Sequence, residues 1–93
     1  MKYLPKTYVF TDRDDFEISY DDIIERIMKG FYEEFRLTPS RSSIRLVTVA
    51  EGFLSSEYHV QVLFVLLDTK KCGMLPKRYL LDLWSCSVEV LPY

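Results

Sequence analysis

Between Tyr20 and Phe35 the apolar residues Tyr20, Ile23, Ile24, Ile27, Met28, Phe31 and Phe35 recur three and four positions apart. That spacing places them on one wide face of an α-helix, and a helix with one apolar face lies on a sheet or another helix. Ser19 stands where an N-cap is needed, with Asp22 three residues on as a partial capping box. Gly30 interrupts the helix at up to about 1 kcal/mol relative to alanine, which predicts a close approach to a sheet. On both sides of this segment the period falls to two. In residues 3–11, Tyr8 and Phe10 alternate with Thr7, Val9 and Thr11, and a polar turn follows at 12–15. Residues 43–51 (SIRLVTVAE) and 58–67 (YHVQVLFVLL) read as two strands joined by a short loop, 52–57. The second is almost wholly apolar after Gln61, as in a central strand covered on much of both faces. Residues 69–76 form a polar loop around Gly73, 77–84 suit one or two helical turns, and 87–91 (SVEVL) alternate as a last strand. The resulting order is β-α-β-β-(short α)-β. This predicts an α+β fold: an antiparallel-dominated sheet of four to five strands with one main helix on one face, the other face partly open and available for a site.

Composition adds bounds to this picture. A chain of 93 residues with 48% apolar residues forms one small globular domain, 1–93, without repeats or linkers. A net charge of −2 argues against a broadly basic duplex-DNA surface and leaves only a local patch: Lys70, Lys71, Lys77 and Arg78, which Arg36, Arg41 and Arg45 extend. Cys72 and Cys86 lack metal-finger spacing and read as free thiols of a reducing compartment. There is neither a run of transmembrane length nor a signal-peptide pattern, so the expectation is a soluble, intracellular protein with no membrane partner.

The candidate chemistry lies on the two central strands. His59 is the only histidine, and Gln61, two residues on, shares its face in a strand. Glu51 closes the preceding strand, and a hairpin is expected to bring its carboxylate beside the imidazole and the amide. One carboxylate, one imidazole and one amide oxygen suit Mg²⁺ or Mn²⁺ with positions left for water and phosphate oxygens. A lone histidine in a strand is more often a hydrogen-bonded core or edge residue, and it is Glu51 and Gln61 that raise the metal reading beside it.

In this order the motifs resemble the endonuclease domain of rolling-circle replication initiators (Rep, of the HUH type) from small circular single-stranded DNA viruses of geminivirus and circovirus type. The segment 8–13 (YVFTDR) sits where that family has an aromatic-rich first motif. Glu51 matches its acidic ligand, and His59-Val60-Gln61 its His-hydrophobic-Gln form. The run 77–83 resembles the segment with an Arg-aromatic-Asp-Leu core, and 88–92 the next strand. The resemblance implies a Rep/ferredoxin-like fold, a metal held by Glu51, His59 and Gln61, contact with single-stranded or origin DNA, and the host nucleus as the place of action. The family's Tyr-x-x-Lys helix has no counterpart here, and Tyr93 has no lysine after it. Tyr79 is the single weak internal candidate for a nucleophile. The expectation is therefore a truncated or degenerate domain that binds DNA but does not nick it alone. From another class, the same small, aromatic-rich domain reads as a protein-interaction module that dimerises or docks on a partner by an exposed sheet edge.

Overall fold

The computed structural model describes residues 7–10, 16–67 and 77–92. Among these the chain runs β1 (Thr7–Phe10), β2 (Phe16–Ser19), α1 (Tyr20–Phe35), a single 3-10 turn (Arg41–Ser43), β3 (Ile44–Leu54), β4 (Glu57–Leu66), β5 (Arg78–Asp82) and β6 (Ser87–Leu91). β1 and β2 pair as an antiparallel ribbon, and the other four strands form a separate antiparallel sheet in the order β3-β4-β5-β6. The protein is thus α+β, with one main helix on one face of the sheet and β4 in its interior. The predicted turn 12–15 and the loop 69–76 lie outside the described residues, Lys70 and Lys71 with it.

The helix begins where its cap predicts. Ser19 Oγ accepts the Asp22 N–H at 3.1 Å, and the helix ends on Arg36, left-handed at φ 58°, whose N–H donates to the Tyr32 carbonyl. Its inward face, Ile23, Ile24, Ile27 and Phe31, is buried on Val60, Val62, Phe64, Tyr79, Leu81 and Val88 of the sheet. Gly30 marks the close approach. A Cβ built there would stand 2.5 Å from the Cys86 carbonyl oxygen and 3.0 Å from Val88 Cγ2. Arg26 adds a hydrogen bond to the Leu83 carbonyl at 2.9 Å. The β1–β2 ribbon contributes Phe10 and Ile18 to the same core, and Phe16 meets Trp84 edge-on at 4.7 Å between ring centres.

Residues 77–84 depart from the sequence reading: they are strand β5 and the start of a turn, not a helix. Tyr79 and Leu81 point into the core while Leu80 and Asp82 point away, so the period is two. The adjacent apolar pair Leu80 and Leu81 hid it. β2 is a strand the sequence reading did not contain.

Candidate functional site

The β3–β4 connection fixes which side chains meet. It is a two-residue turn, Ser55 and Ser56, both at positive φ (50° and 71°). That conformation matches the right-handed twist of a hairpin. It sets Leu54 opposite Glu57, and from there Gly52 opposite His59, Glu51 opposite Val60 and Ala50 opposite Gln61. Residues directly opposite in an antiparallel pair share a face. Glu51 therefore lies on the helix-covered side with fully buried Val60, whereas His59 and Gln61 lie on the other, open side. A bulge between Leu46 and Thr48 reconciles this register with the inward Ile44 and Leu46.

The predicted triad is thereby corrected. His59 and Gln61 do share the open face, but Glu51 does not join them; its carboxylate accepts the Tyr58 hydroxyl on the opposite side. Tyr58 itself faces away from His59, against Phe53 and Trp84. Among the described residues no group of three or more His, Cys, Asp and Glu side chains is placed to hold a metal ion.

Tyr79 is corrected as well. It is 1% exposed, stacked on Phe64 at 5.3 Å and edge-on to Phe31 at 5.2 Å. A phenol at the centre of the core has no approach for a substrate. Of the predicted basic patch, Lys70 and Lys71 lie outside the described residues, and the described basic residues are spread over several elements. Arg41 pairs with Asp21 and Arg36 lies 3.9 Å from Glu33. Arg45 and exposed Arg78 flank Val65 on one row of the open face, with Lys77 next to Arg78.

What His59 does meet was missed from the sequence, because the partner sits on the segment read as helix. Asp82, opposite Gln61 in β5, takes the His59 Nδ1–H at 2.7 Å on one carboxylate oxygen. Its other oxygen accepts the backbone N–H groups of Trp84 (3.0 Å) and Ser85 (3.3 Å). Burial alone would raise the Asp82 carboxyl, but the hydrogen bonds from His59, Ser85 and Trp84 and the charge of the imidazole together hold it below its ordinary value. An ionised Asp82 holds the imidazole ring in place with a proton on Nδ1. Nε2 lies 3.5 Å from the Glu57 carboxylate, which is 80% exposed. Beside this ring the side chains of β3 shrink to Ala50 and Gly52, leaving a hollow of about 90 Å³ lined also by Glu51, Phe53, Leu54 and Gln61. The half-buried Gln61 amide makes no hydrogen bond to the described residues.

The outer edge of β3 is the second feature. Leu83 N–H donates to the Val60 carbonyl and Leu67 N–H to the Ser43 carbonyl. In the alternating ladder of antiparallel strands, these bonds direct the backbone groups of His59, Gln61 and Leu63 toward β3. Their partners Gly52, Ala50 and Thr48 point back. The N–H and C=O of Val49 and Phe53 then face outward, and no described strand pairs with them. Phe53 and Leu54 at the hairpin tip are 63% and 52% exposed, and Val47 at the bulge is 46% exposed.

Comparison with protein-family models, with curated proteins and with solved structures gave no match. No helix among the described residues is long and apolar enough to cross a membrane.

Proposed function

We propose that this protein is a small interaction module that binds an extended segment of a partner protein by strand addition to the outer edge of β3. The observation that carries the reading is the 11-residue edge strand with outward backbone groups at Val49 and Phe53 and exposed apolar side chains at its tip. Main-chain hydrogen bonds supply affinity in this mode, and pockets for alternate side chains supply specificity. Natural edges are usually short, charged or covered. β3 carries a bulge near its start, but from Thr48 to Leu54 it presents only one charged residue, Glu51. The test is selection of a phage-displayed library of random dodecapeptides on the immobilised protein, followed by Phe53→Pro. Proline there removes an outward N–H and leaves the β3–β4 ladder intact. Loss of peptide binding with the fold retained by circular dichroism supports the reading, and undiminished binding rejects it.

A second reading is favoured by the row Arg45–Val65–Arg78. Two exposed guanidinium groups on the open face suit phosphate oxygens of single-stranded DNA, in line with the resemblance to replication initiators. Its signature is salt-dependent affinity for an oligonucleotide, lost in Arg45→Gln with Arg78→Gln. An affinity unchanged by that double variant removes it.

A further inference from the structure

We infer that two copies of this chain pack open face against open face, about a twofold axis that crosses the strands at the Leu63–Leu80 row, with Arg78 of each copy meeting Asp82 of the other. The inference goes beyond strand addition, which uses the edge of β3 and leaves this face bare.

Strand register lays the open face out in rows. The middle row is Thr48–Leu63–Leu80–Glu89, and the row below it is Arg45–Val65–Arg78–Leu91. Leu63, Val65, Leu80 and Leu91 stand part-exposed there, whereas Phe64 and Leu81 on the same strands are sealed at 0% beneath the helix. No described element lies across these rows. Four adjoining aliphatic side chains on the uncovered face of a sheet form a contiguous apolar patch, the mark of a contact surface.

Charge then selects the occupant. Arg78 is exposed and takes part in none of the ion pairs among the described residues. Asp82, on the same face of β5, is held ionised by its hydrogen bonds. Arg78 lies two residues before Leu80 and Asp82 two residues after it. A twofold axis across the strands at Leu80 exchanges these two heights. Leu63 and Leu80 then face their own counterparts, and both Arg78–Asp82 contacts form at once. Sheets stacked about 10 Å apart leave a gap that an arginine reaching toward an aspartate can close. Glu89, at the exposed end of the middle row, faces its own counterpart, and water and salt screen that repulsion.

The area agrees with a weak dimer. Three rows of four strands measure roughly 20 by 19 Å, about 400 Å² per copy in the plane of the sheet. With side-chain relief the two copies together cover about 1,000 Å², the low end for specific association, which corresponds to dissociation in about the micromolar range. A nucleic-acid strand suits the same face less well. These rows hold no aromatic ring on which a base could stack, and Asp82 and Glu89 repel phosphate.

Sedimentation equilibrium of the whole chain, from about 1 µM to about 500 µM, reads the association. The expected result is a rise from the 11.1 kDa monomer toward twice that mass. Leu80→Glu sets two carboxylates face to face on the axis and should hold the protein monomeric. Arg78→Glu should weaken association at least roughly tenfold, because each exchange breaks two symmetric contacts, and Glu89→Gln should tighten it about twofold. Arg36→Gln, at the end of the helix, should leave it unchanged. Circular dichroism melts beside wild type report folding, and Arg78→Glu, at an exposed position, keeps the test decisive should Leu80→Glu fail to fold. A mass that stays at that of the monomer throughout overturns the inference. A dimer that survives both Leu80→Glu and Arg78→Glu also overturns it, and loss of that dimer in Phe53→Pro would place the contact at the β3 edge. An oligonucleotide bound by monomeric protein and lost in Arg78→Glu assigns the face to nucleic acid and overturns it too. Peptide capture at the β3 edge is read separately, by Phe53→Pro, so either proposal can fail without the other.

Discussion

Gly30→Ala separates two opposing effects whose sizes follow from the structure. In an exposed helix the change is stabilising, by close to 1 kcal/mol of backbone propensity. Here the new methyl carbon would sit 2.5 Å from the Cys86 carbonyl oxygen, 3.0 Å from Val88 Cγ2 and 3.3 Å from Leu81 Cδ1. The first neighbour is backbone, held by the turn in which Cys86 N–H donates to the Asp82 carbonyl, and it cannot rotate away. Restoring a carbon–oxygen contact of about 3.3 Å requires the helix to retreat by roughly 0.8 Å. A gap of that size forfeits a quarter to a half of each dispersion contact, and Ile23, Ile27 and Phe31 share the loss because they ride on the same helix. Overpacking of this kind costs about 1–3 kcal/mol before relaxation is complete. With the propensity gain subtracted from the middle of that range, the net expectation is a loss of about 1 kcal/mol, read as a fall of roughly 4–8 °C in thermal midpoint for a domain of this size. Urea unfolding followed by circular dichroism measures it, with Glu34→Ala on the exposed side of α1 as a control expected within about 0.5 kcal/mol of wild type. A midpoint for Gly30→Ala equal to or above wild type would refute the reasoning, since propensity alone would then decide the site.

The remaining predictions concern the cap, the turn, the core and the acid limb. Ser19→Ala should cost about 1 kcal/mol through the lost bond to Asp22 N–H, checked by equilibrium unfolding. Ser55→Asn with Ser56→Gly should raise stability by up to about 1–2 kcal/mol, because both positions hold positive φ that those residues adopt more readily; an unchanged urea midpoint counts against it. Tyr79→Ala should cost about 3–5 kcal/mol, a large part of the stability of a small domain, and loss of the cooperative transition is the readout. Asp82 has a lowered carboxyl, so its contribution is present above the ordinary aspartate range near pH 4 and is lost as pH falls through the folded value. Asp82→Asn should accordingly flatten the fall in stability below about pH 4, and an acid limb as steep as wild type would contradict the assignment.

Helix α1 was legible because three signals agreed: the period of its apolar residues, Ser19 before it and Gly30 within it. β3 and β6 were legible by alternation, and β4 by its nearly unbroken apolar run after Gln61. The site was less so, for two local reasons. With Gly52 to Glu57 read as a loop, nothing decided whether Glu51 faces His59. The chain instead continues as strand to Leu54 and turns on Ser55 and Ser56, which fixes the opposite parity. Two serines lack the Asn-Gly signature that announces such a turn, and a one-residue change of register moves a side chain to the other face. Asp82 was lost with β5, whose five residues are too few for either period to dominate once Leu80 and Leu81 stand side by side. The residues that pair across strands are a tertiary property, and His59 found its carboxylate 23 positions away rather than eight.

Each strand of the four-stranded sheet pairs with its neighbour in the chain, but the helix does not share that economy. α1 is complete at Phe35, and its principal supports are Tyr79 and Leu81 on β5 and Val88 on β6. Some fifty residues therefore emerge from a ribosome between the helix and its last support, about 3–10 s at ordinary synthesis rates. For that interval Ile23, Ile27 and Phe31 have at most β3 and β4, half of the four-stranded sheet, to cover them. The newborn chain holds a half-covered apolar helix until β6 arrives and the Cys86 carbonyl closes over Gly30.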